Sequence, residues 1–272
     1  MNSPAEVAKN YIAIGKGKVN NPVPKMFLLG ILAGMFIAFA GVTANTVSAT
    51  VESGSIAKLL SGAVFPGGLA MVLLAGSELF TGNNLIVIPL MEKEVSLGGM
   101  LKNWVVVYLG NLVGGVLVGA ICAYGNQVGL FGGQLAVASI STAVAKCSMS
   151  FGDAFLKGVG CNFLVCIAVW ISFAAKDISG KILGIFFPIM MFVTCGFEHS
   201  IANMYYISVG LFANSIPSFA ALAAEAGVNT ANLTWGNMFL ANLLPVTLGN
   251  IVGGAGLVGL PYWFIYLRGK KA

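Results

Sequence analysis

The sequence predicts an all-α polytopic membrane protein with six transmembrane helices in two inverted repeats of three helices. Three observations predict this fold class. Only 8% of the 272 residues are charged and 58% are hydrophobic, whereas about a quarter of a soluble domain is charged. Six apolar regions each reach the length of about 20 residues that crosses a bilayer. Motifs of the first three regions recur, in the same order, in the last three.

This composition excludes several classes of protein. The 14 basic and 9 acidic residues are too few to cover a surface that faces water. A soluble enzyme, a nucleic-acid-binding protein and a disordered chain are therefore excluded. The net charge of +5 is interpreted as a topology signal, so we expect membrane lipid around the chain and no nucleic acid as a partner.

The six predicted spans form one membrane domain, residues 26–267, between an N-terminal segment, 1–25, and a C-terminal tail, 268–272. The second and fifth spans are too long for one straight helix, so helices 2 and 5 are predicted to be broken, near residues 79–83 and 194–200. A half-helix that begins inside the membrane presents free N–H groups and a partial positive charge, which favours an anion in front of it. The spans cover residues 26–50, 61–91, 104–124, 155–175, 182–212 and 235–267.

The distribution of basic residues predicts the orientation of the spans. If the spans alternate, 11 of the 14 basic residues fall on one side, and the positive-inside rule makes that side the cytoplasm. Both termini are expected in the cytoplasm, and the protein in the cytoplasmic membrane of the cell. The connections 125–152 and 213–234 are expected to face outward. The 11 residues are Lys9, Lys16, Lys18, Lys25, Lys93, Lys102, Lys176, Lys181, Arg268, Lys270 and Lys271, and the other three are Lys58, Lys146 and Lys157.

An internal repeat relates the two halves of the chain. The pattern G-x-E-x-x-x-x-N begins at Gly76 in the second span and at Gly196 in the fifth. A second pattern, Gly-Asn followed by an apolar pair and Gly-Gly, begins at Gly110 in the third span and at Gly249 in the sixth. Because each half has an odd number of spans, the halves are inverted relative to one another, as in many transporters. Corresponding Gly-interrupted spans point to a transport site.

Polar side chains in these spans are candidates for function. Ionisable residues inside apolar sequence are costly in lipid and usually functional. A glutamate before each predicted break can accept hydrogen bonds from the N–H groups that the break frees, although direct contact with a substrate stays open. The residues predicted to support the breaks are Glu78, Glu198, Asn83 and Asn203.

His199 is the only histidine in the chain and lies in the second predicted break. Because histidine titrates near physiological pH, a role in a pore or proton relay is favoured over a packing role. Thr81 offers a hydroxyl group in the first predicted break. A single histidine without convergent carboxylate or cysteine ligands predicts no metal site, and the sequence contains no cofactor fingerprint.

Five segments resemble the signature motifs of the formate/nitrite transporter family, which includes hydrosulfide channels. The segment at 196–204, GFEHSIANM, is the most specific of them, and together the segments extend over nearly the whole chain. The others are 75–83 (AGSELFTGN), 102–114 (KNW, then YLGNLVG), 157–170 (KGVGCNFLVCIAVW) and 242–250 (NLLPVTLGN).

The resemblance implies an aquaporin-like protomer with one pore, assembled as a homopentamer. It implies that His199 is the central histidine, Thr81 the threonine of the break, and Asn162 a polar residue that lines the pore. It further implies that Lys146 attracts anions to a vestibule. The N-terminal segment, with Lys16, is a candidate gate in the family, although a solvated tail that only anchors the topology stays the favoured alternative. The implied apolar constrictions are Phe65, Leu69, Leu79, Val165 and Phe192.

The implied function is passage of a small monovalent weak-acid anion, linked to protons through His199. Formate is favoured because the sixth span and the C-terminus resemble the formate branch. Nitrite and hydrosulfide are close alternatives, because Thr81-Gly82-Asn83 resembles those branches and Phe163 stands where tryptophan is common. An aquaporin-like pore for neutral solutes stays open, although both breaks lack Asn-Pro-Ala. An enzyme would need converging acid, base or metal ligands, so a non-enzyme is expected. A receptor or scaffold that carries no flux is a further alternative, and a liposome swelling assay would distinguish it from a channel.

Overall fold

The computed structural model describes residues 1–269, so the predicted cytoplasmic residues Lys270 and Lys271 lie outside the described part. All regular structure within residues 1–269 is helical, which confirms the all-α class. The helices are α1 Pro4–Asn20, α2 Val23–Ser48, α3 Gly54–Val64, α4 Pro66–Met71, α5 Phe80–Asn83, α6 Val87–Met91, α7 Leu97–Tyr124, α8 Gln134–Cys147, α9 Phe151–Ala174, α10 Ile178–Thr194, α11 Ser200–Asn214, α12 Pro217–Glu225, α13 Trp235–Asn237, α14 Leu244–Ile251 and α15 Leu260–Tyr266. Wider π-helical turns at Val72–Gly76, Met238–Leu243 and Val252–Gly259, and 3-10 turns at Asn84–Ile86, Gln127–Gly129 and Phe131–Gly133, complete the description.

The membrane-crossing segments agree with the predicted spans to within a few residues at most ends. The second and third spans differ most at their starts, since their helices begin at Gly54 and Leu97 rather than at 61 and 104. The fifth predicted span is divided between the shorter helices α10 and α11. Continuous segments long and apolar enough to cross a membrane are Val23–Ser48, Gly54–Gly76, Leu97–Tyr124, Phe151–Ala174 and Trp235–Tyr266.

Both predicted breaks exist, and a left-handed glycine opens each of them. Gly76 has φ +84° and Gly196 has φ +70°, a conformation that only glycine adopts without strain. Each glycine ends its half-helix in a Schellman motif, because the following N–H bonds the carbonyl five residues back. These bonds run from Ser77 to Val72 and from Phe197 to Phe192, each at 3.0 Å.

The first break lies earlier than the sequence predicted. The extended residues are 77–79, and the segment Phe80–Asn83, predicted as the break, is instead the first turn of the next half-helix. Gly82 made this segment look like a turn, but within α5 it is buried. The second break, residues 195–199, lies inside the predicted range.

Glycine lets the helices of each repeat pack with their backbones in contact. A Cβ on Gly34 of α2 would lie 2.8 Å from the Cα of Asn111 in α7, closer than real Cβ contacts. In the second repeat, a Cβ on Gly158 of α9 would lie 2.7 Å from the carbonyl oxygen of Val246 in α14. The Gly-rich segments therefore serve close helix packing, as in other membrane helices.

Helices α1 and α8 lie outside the spans and hold equivalent places in the two repeats. The two long connections predicted to face outward each contain a helix: α8 lies in 125–152, and α12, bent 99° from α11, lies in 213–234. α1 precedes the first span of repeat one as α8 precedes the first span of repeat two. α1 packs against α6 and α7, and α8 packs against α11.

Candidate pore

Three cavities lie one after another through the centre of the fold. The first, here the α1 vestibule, measures about 160 Å³ and is lined by Tyr11 and Lys18 of α1 among others. The second, here the α8 vestibule, measures about 320 Å³ and is lined by Lys146 of α8 among others. Between them lies a central cavity of about 10 Å³, which is about the room that one water molecule needs.

Shared lining residues place the three cavities next to one another along one candidate path. Leu69 and Leu79 line both the α1 vestibule and the central cavity. Phe65, Phe192 and His199 line both the central cavity and the α8 vestibule. The path is therefore wide at both ends and narrow at its middle.

The five residues expected to form the constrictions all line the central cavity. Phe65 and Phe192 meet edge to face, with ring centroids 5.7 Å apart. The Phe192 ring also lies 5.9 Å from the ring of His199. Leu69, Leu79 and Val165 complete the apolar wall, so an ion at this point loses its water without gaining a charged partner.

His199 and Thr81 meet at the centre of the molecule. Nε2 of His199 lies 2.8 Å from Oγ1 of Thr81, and both side chains are buried. His199 also caps α11, since its Nδ1 accepts a hydrogen bond from the Ala202 N–H at 3.0 Å. Because an accepting ring nitrogen carries no proton, the neutral imidazole is protonated on Nε2. Nε2–H therefore donates to Thr81, and a molecule in the centre can take over that hydrogen bond.

Asparagines, rather than the glutamates, satisfy the N-termini of the second half-helices. Oδ1 of Asn111 accepts from the Phe80 N–H, and Oδ1 of Asn250 accepts from the Ser200 N–H, each at 3.0 Å. Their amide groups donate to the carbonyls of the two glutamates at 2.9 Å and 3.0 Å. The expectation that the glutamate side chains accept the freed N–H groups is thus corrected. Each asparagine amide instead binds both the glutamate carbonyl of the break and the first N–H of the next half-helix.

Each glutamate of a break instead forms a buried ion pair. Nζ of Lys146 donates to both carboxylate oxygens of Glu198 at 2.9 Å, and Nζ of Lys18 donates to Glu78 at 3.0 Å. The glutamate side chains are only 5% and 7% exposed. Lys146 thus lines its vestibule as expected, but its charge is neutralised by Glu198.

The supporting asparagines extend both ion pairs in the same way. Asn83 donates to Glu78 and Asn203 donates to Glu198, each at 2.6 Å. Asn83 also donates to Asn103, and Asn203 to Asn242, at 2.9 Å and 2.7 Å. The four residues predicted to support the breaks are therefore brought together in two matching networks.

Sequence reasoning missed Lys18, although the repeat contained the signal. The first and fourth spans are offset by 128 positions, and this offset relates Lys18 to Lys146. The third and sixth spans are offset by 139 positions, which relates Asn103 to Asn242. In both repeats the asparagine donates to the lysine carbonyl, at 3.2 Å and 3.0 Å.

Thr81 is not among the residues that line the three cavities, so it meets the path through its hydrogen bond with His199. Two further expected site residues lie elsewhere. Asn162 is fully buried and is not among the residues that line the three cavities. Its amide donates to the carbonyls of Thr81 and Asn250 at 3.2 Å and 2.7 Å, so it holds the half-helix rather than facing the path. Lys16 pairs with Glu94 at 2.7 Å on the surface and is absent from the lining of the α1 vestibule.

The fold and the path define a multi-pass membrane protein of the pore-forming type. Two inverted repeats bring two broken helices together around one narrow, apolar centre. The breaks are buried by protein or face a cavity, which is where irregular backbone is tolerated at membrane depth.

Comparison with known proteins identifies the family. The profile described as formate/nitrite transporter matches residues 5–264. The formate channel FocA of Escherichia coli K12 is 39% identical over 97% of this chain and 94% of that protein. A solved pentameric formate channel with formate bound aligns with a TM-score of 0.78 and 38% identity, over 90% of this chain and 98% of that one. A solved FNT family ion channel aligns with a TM-score of 0.80 and 29% identity, over 96% and 98%. The chain belongs to the formate/nitrite transporter family.

Proposed function

We propose that this pore carries small monovalent weak-acid anions, with formate first and nitrite or hydrosulfide next, and that a proton crosses with each anion. The observation that carries the proposal is the buried pair of His199 Nε2 and Thr81 Oγ1, 2.8 Å apart, in which His199 lines the apolar constriction. The relatives described as formate channels support formate as the first substrate.

The energies favour passage as the neutral acid. Moving a bare carboxylate from water into a medium of low dielectric constant costs on the order of 20 kcal/mol in the idealised limit, and several kcal/mol in real proteins. Protonating a carboxylic acid with a pKa of about 4 at pH 7 costs about 4 kcal/mol. Protonation costs less than the idealised transfer of the ion, which favours the neutral acid as the species that passes a ring of Phe65, Leu69 and Phe192.

His199 acts in this proposal as a neutral hydrogen-bond donor. Adding a proton to its Nδ1 would break the bond from the Ala202 N–H, which measures 3.0 Å. The anion instead accepts Nε2–H in place of Thr81, takes a proton from vestibule water and crosses as the acid. It returns that proton to water on the far side, so one proton moves with each anion.

We also propose the topology and the assembly. The α1 vestibule faces the cytoplasm with both termini, and the α8 vestibule faces outward, as the basic residues favour. The solved pentameric formate channel to which this chain is similar supports a homopentamer. α1 acts as a docked cap over the α1 vestibule: the Tyr11 hydroxyl lies 3.4 Å from the Gly82 carbonyl, and the Lys16–Glu94 pair joins α1 to the connection after α6.

Flux through proteoliposomes tests this proposal. The purified protein is supplied in parallel with formate, nitrite, hydrosulfide, chloride and glycerol, while a trapped dye reports internal pH. We expect weak-acid flux with a matching pH change and little chloride flux. His199→Leu, which copies Leu79 at the equivalent repeat position, should keep the pentamer and lose proton-linked flux. Unchanged coupling in that variant refutes the role of His199, and glycerol flux without anion flux favours the neutral-solute pore instead.

The hydroxyl of Thr81 has its own matched variant. Thr81→Val keeps the shape of the side chain and removes the acceptor for His199 Nε2–H. We expect lower flux with proton coupling retained, because His199 can still donate to the anion. Complete loss of proton coupling in Thr81→Val would mean that the Thr81 hydroxyl, and not the His199 imidazole, links anion passage to protons.

A further inference from the structure

The charge of each vestibule does not come from the lysine of its ion pair. In the α8 vestibule, Lys146 has both oxygens of Glu198 at 2.9 Å, and its Nζ also lies 5.3 Å from the centre of the Tyr206 ring. In the α1 vestibule, Lys18 is neutralised by Glu78 at 3.0 Å. Each of these pairs contributes no net charge.

A second lysine lines each vestibule. Lys58 of α3 lines the α8 vestibule, and Lys181 of α10 lines the α1 vestibule. Within residues 1–269, the ion pairs are Lys16–Glu94, Lys18–Glu78 and Lys146–Glu198, so neither Lys58 nor Lys181 has a carboxylate partner. Nζ of Lys58 reaches the second break, since a Cβ built on Gly196 would lie 3.9 Å from it.

Neither position is explained by helix stability. Lys58 and Lys181 lie within the first five residues of α3 and α10. A cation near a helix N-terminus opposes the helix dipole, so these lysines make their own helices slightly less stable. Lys58 also lies on the side that the positive-inside rule disfavours.

We infer that Lys58 and Lys181 are the anion-capture residues of the two vestibules, each supplying the one uncompensated positive charge that residues 1–269 place in the lining of its vestibule. This inference rests on the proposed function. An anion entering from either end meets an unpaired ammonium group first, while the buried lysine–glutamate pairs hold the breaks in shape. The ligand class is a small monovalent oxyanion or thiolate, which needs one cation and no specific geometry.

The half-saturating formate concentration tests this inference. The full-length protein is reconstituted in one orientation, and formate is presented on one side at an ionic strength of about 10 mM, where screening is weak. Lys58→Gln should raise the half-saturating concentration about 3- to 10-fold for entry through the α8 vestibule. Lys181→Gln should do the same for entry through the α1 vestibule. At an ionic strength of about 1 M both effects should vanish.

Matched variants separate local capture from general surface charge. Lys157 and Lys102 are exposed and are absent from the linings of the α8 and α1 vestibules. Lys157→Gln and Lys102→Gln should change the half-saturating concentration less than about 2-fold, and Lys58→Arg should match the wild type. The inference is overturned if Lys58→Gln and Lys181→Gln keep the wild-type half-saturating concentration, or if the control variants change it equally. In both cases the wild-type protein still transports formate, so the proposed function is unaffected. Absence of formate flux in the wild type refutes the proposed function itself.

Discussion

Removing one partner of the buried ion pair at the second break should destabilise the protein far more than removing a surface pair. In Lys146→Gln, the carboxylate of Glu198, only 5% exposed, keeps its bond from Asn203 but loses its counter-ion. An uncompensated buried charge costs about 3–5 kcal/mol. In Glu198→Gln, the Lys146 ammonium can turn toward the vestibule, so we expect a smaller cost of about 1–3 kcal/mol.

The double variant Lys146→Gln/Glu198→Gln should lose less free energy of unfolding than the sum of the losses in the two single variants. Because the neutral side chains remain in contact, the coupling free energy should exceed about 1 kcal/mol. The control is Lys16→Gln, which breaks a pair whose side chains are 50% and 44% exposed and should cost less than about 1 kcal/mol.

Unfolding of the reconstituted protein by a denaturing detergent measures these free energies, with the same assay applied to all four variants. A Lys146→Gln variant as stable as Lys16→Gln would refute the reasoning, because it would mean that Glu198 is not a buried charge that depends on Lys146. Additive single costs would equally refute the coupling.

Two further predictions concern the framework that holds the breaks. Asn111→Asp removes both amide donor bonds, 2.7 Å to the Gly30 carbonyl and 2.9 Å to the Glu78 carbonyl, and should lower stability by about 3 kcal/mol together with flux; an unchanged unfolding midpoint contradicts this. Gly34→Val should prevent α2 from reaching α7 and abolish the folded oligomer on size-exclusion chromatography, whereas Gly98→Val, with no neighbouring atom within 4 Å of the added Cβ, should assemble normally; assembly of both variants contradicts the packing argument.

The fold was predictable because its signals are local or repeated. Twenty-residue apolar runs define spans, and the recurring Gly-x-Glu pattern identified two breaks and an inverted repeat. The position of the first break was wrong by about three residues, because Phe80–Asn83 contains a glycine and an asparagine that resemble a turn. Tertiary contacts decide otherwise: Asn111 accepts the Phe80 N–H at 3.0 Å, which lets the helix begin there.

The candidate site was predictable where residue type alone suffices. A lone histidine within apolar sequence led to the centre, and the five apolar constriction residues implied by the family resemblance line one cavity. The partners of charged groups were not predictable, because pairing depends on distances between segments far apart in sequence. Lys146 was expected to be a free cation, yet Glu198 neutralises it, and Asn162 was expected in the path, yet its bonds face the helices.

The ratio of protons to formate in wild-type proteoliposomes tests the central claim most directly. Formate uptake and internal pH are recorded together, with chloride as the matched strong-acid anion. We expect one proton for each formate that enters, at every pH at which flux is measurable, and no comparable chloride flux. Formate entry that charges the membrane without moving internal pH would contradict it, because the anion would then cross the Phe65–Phe192 constriction without a proton.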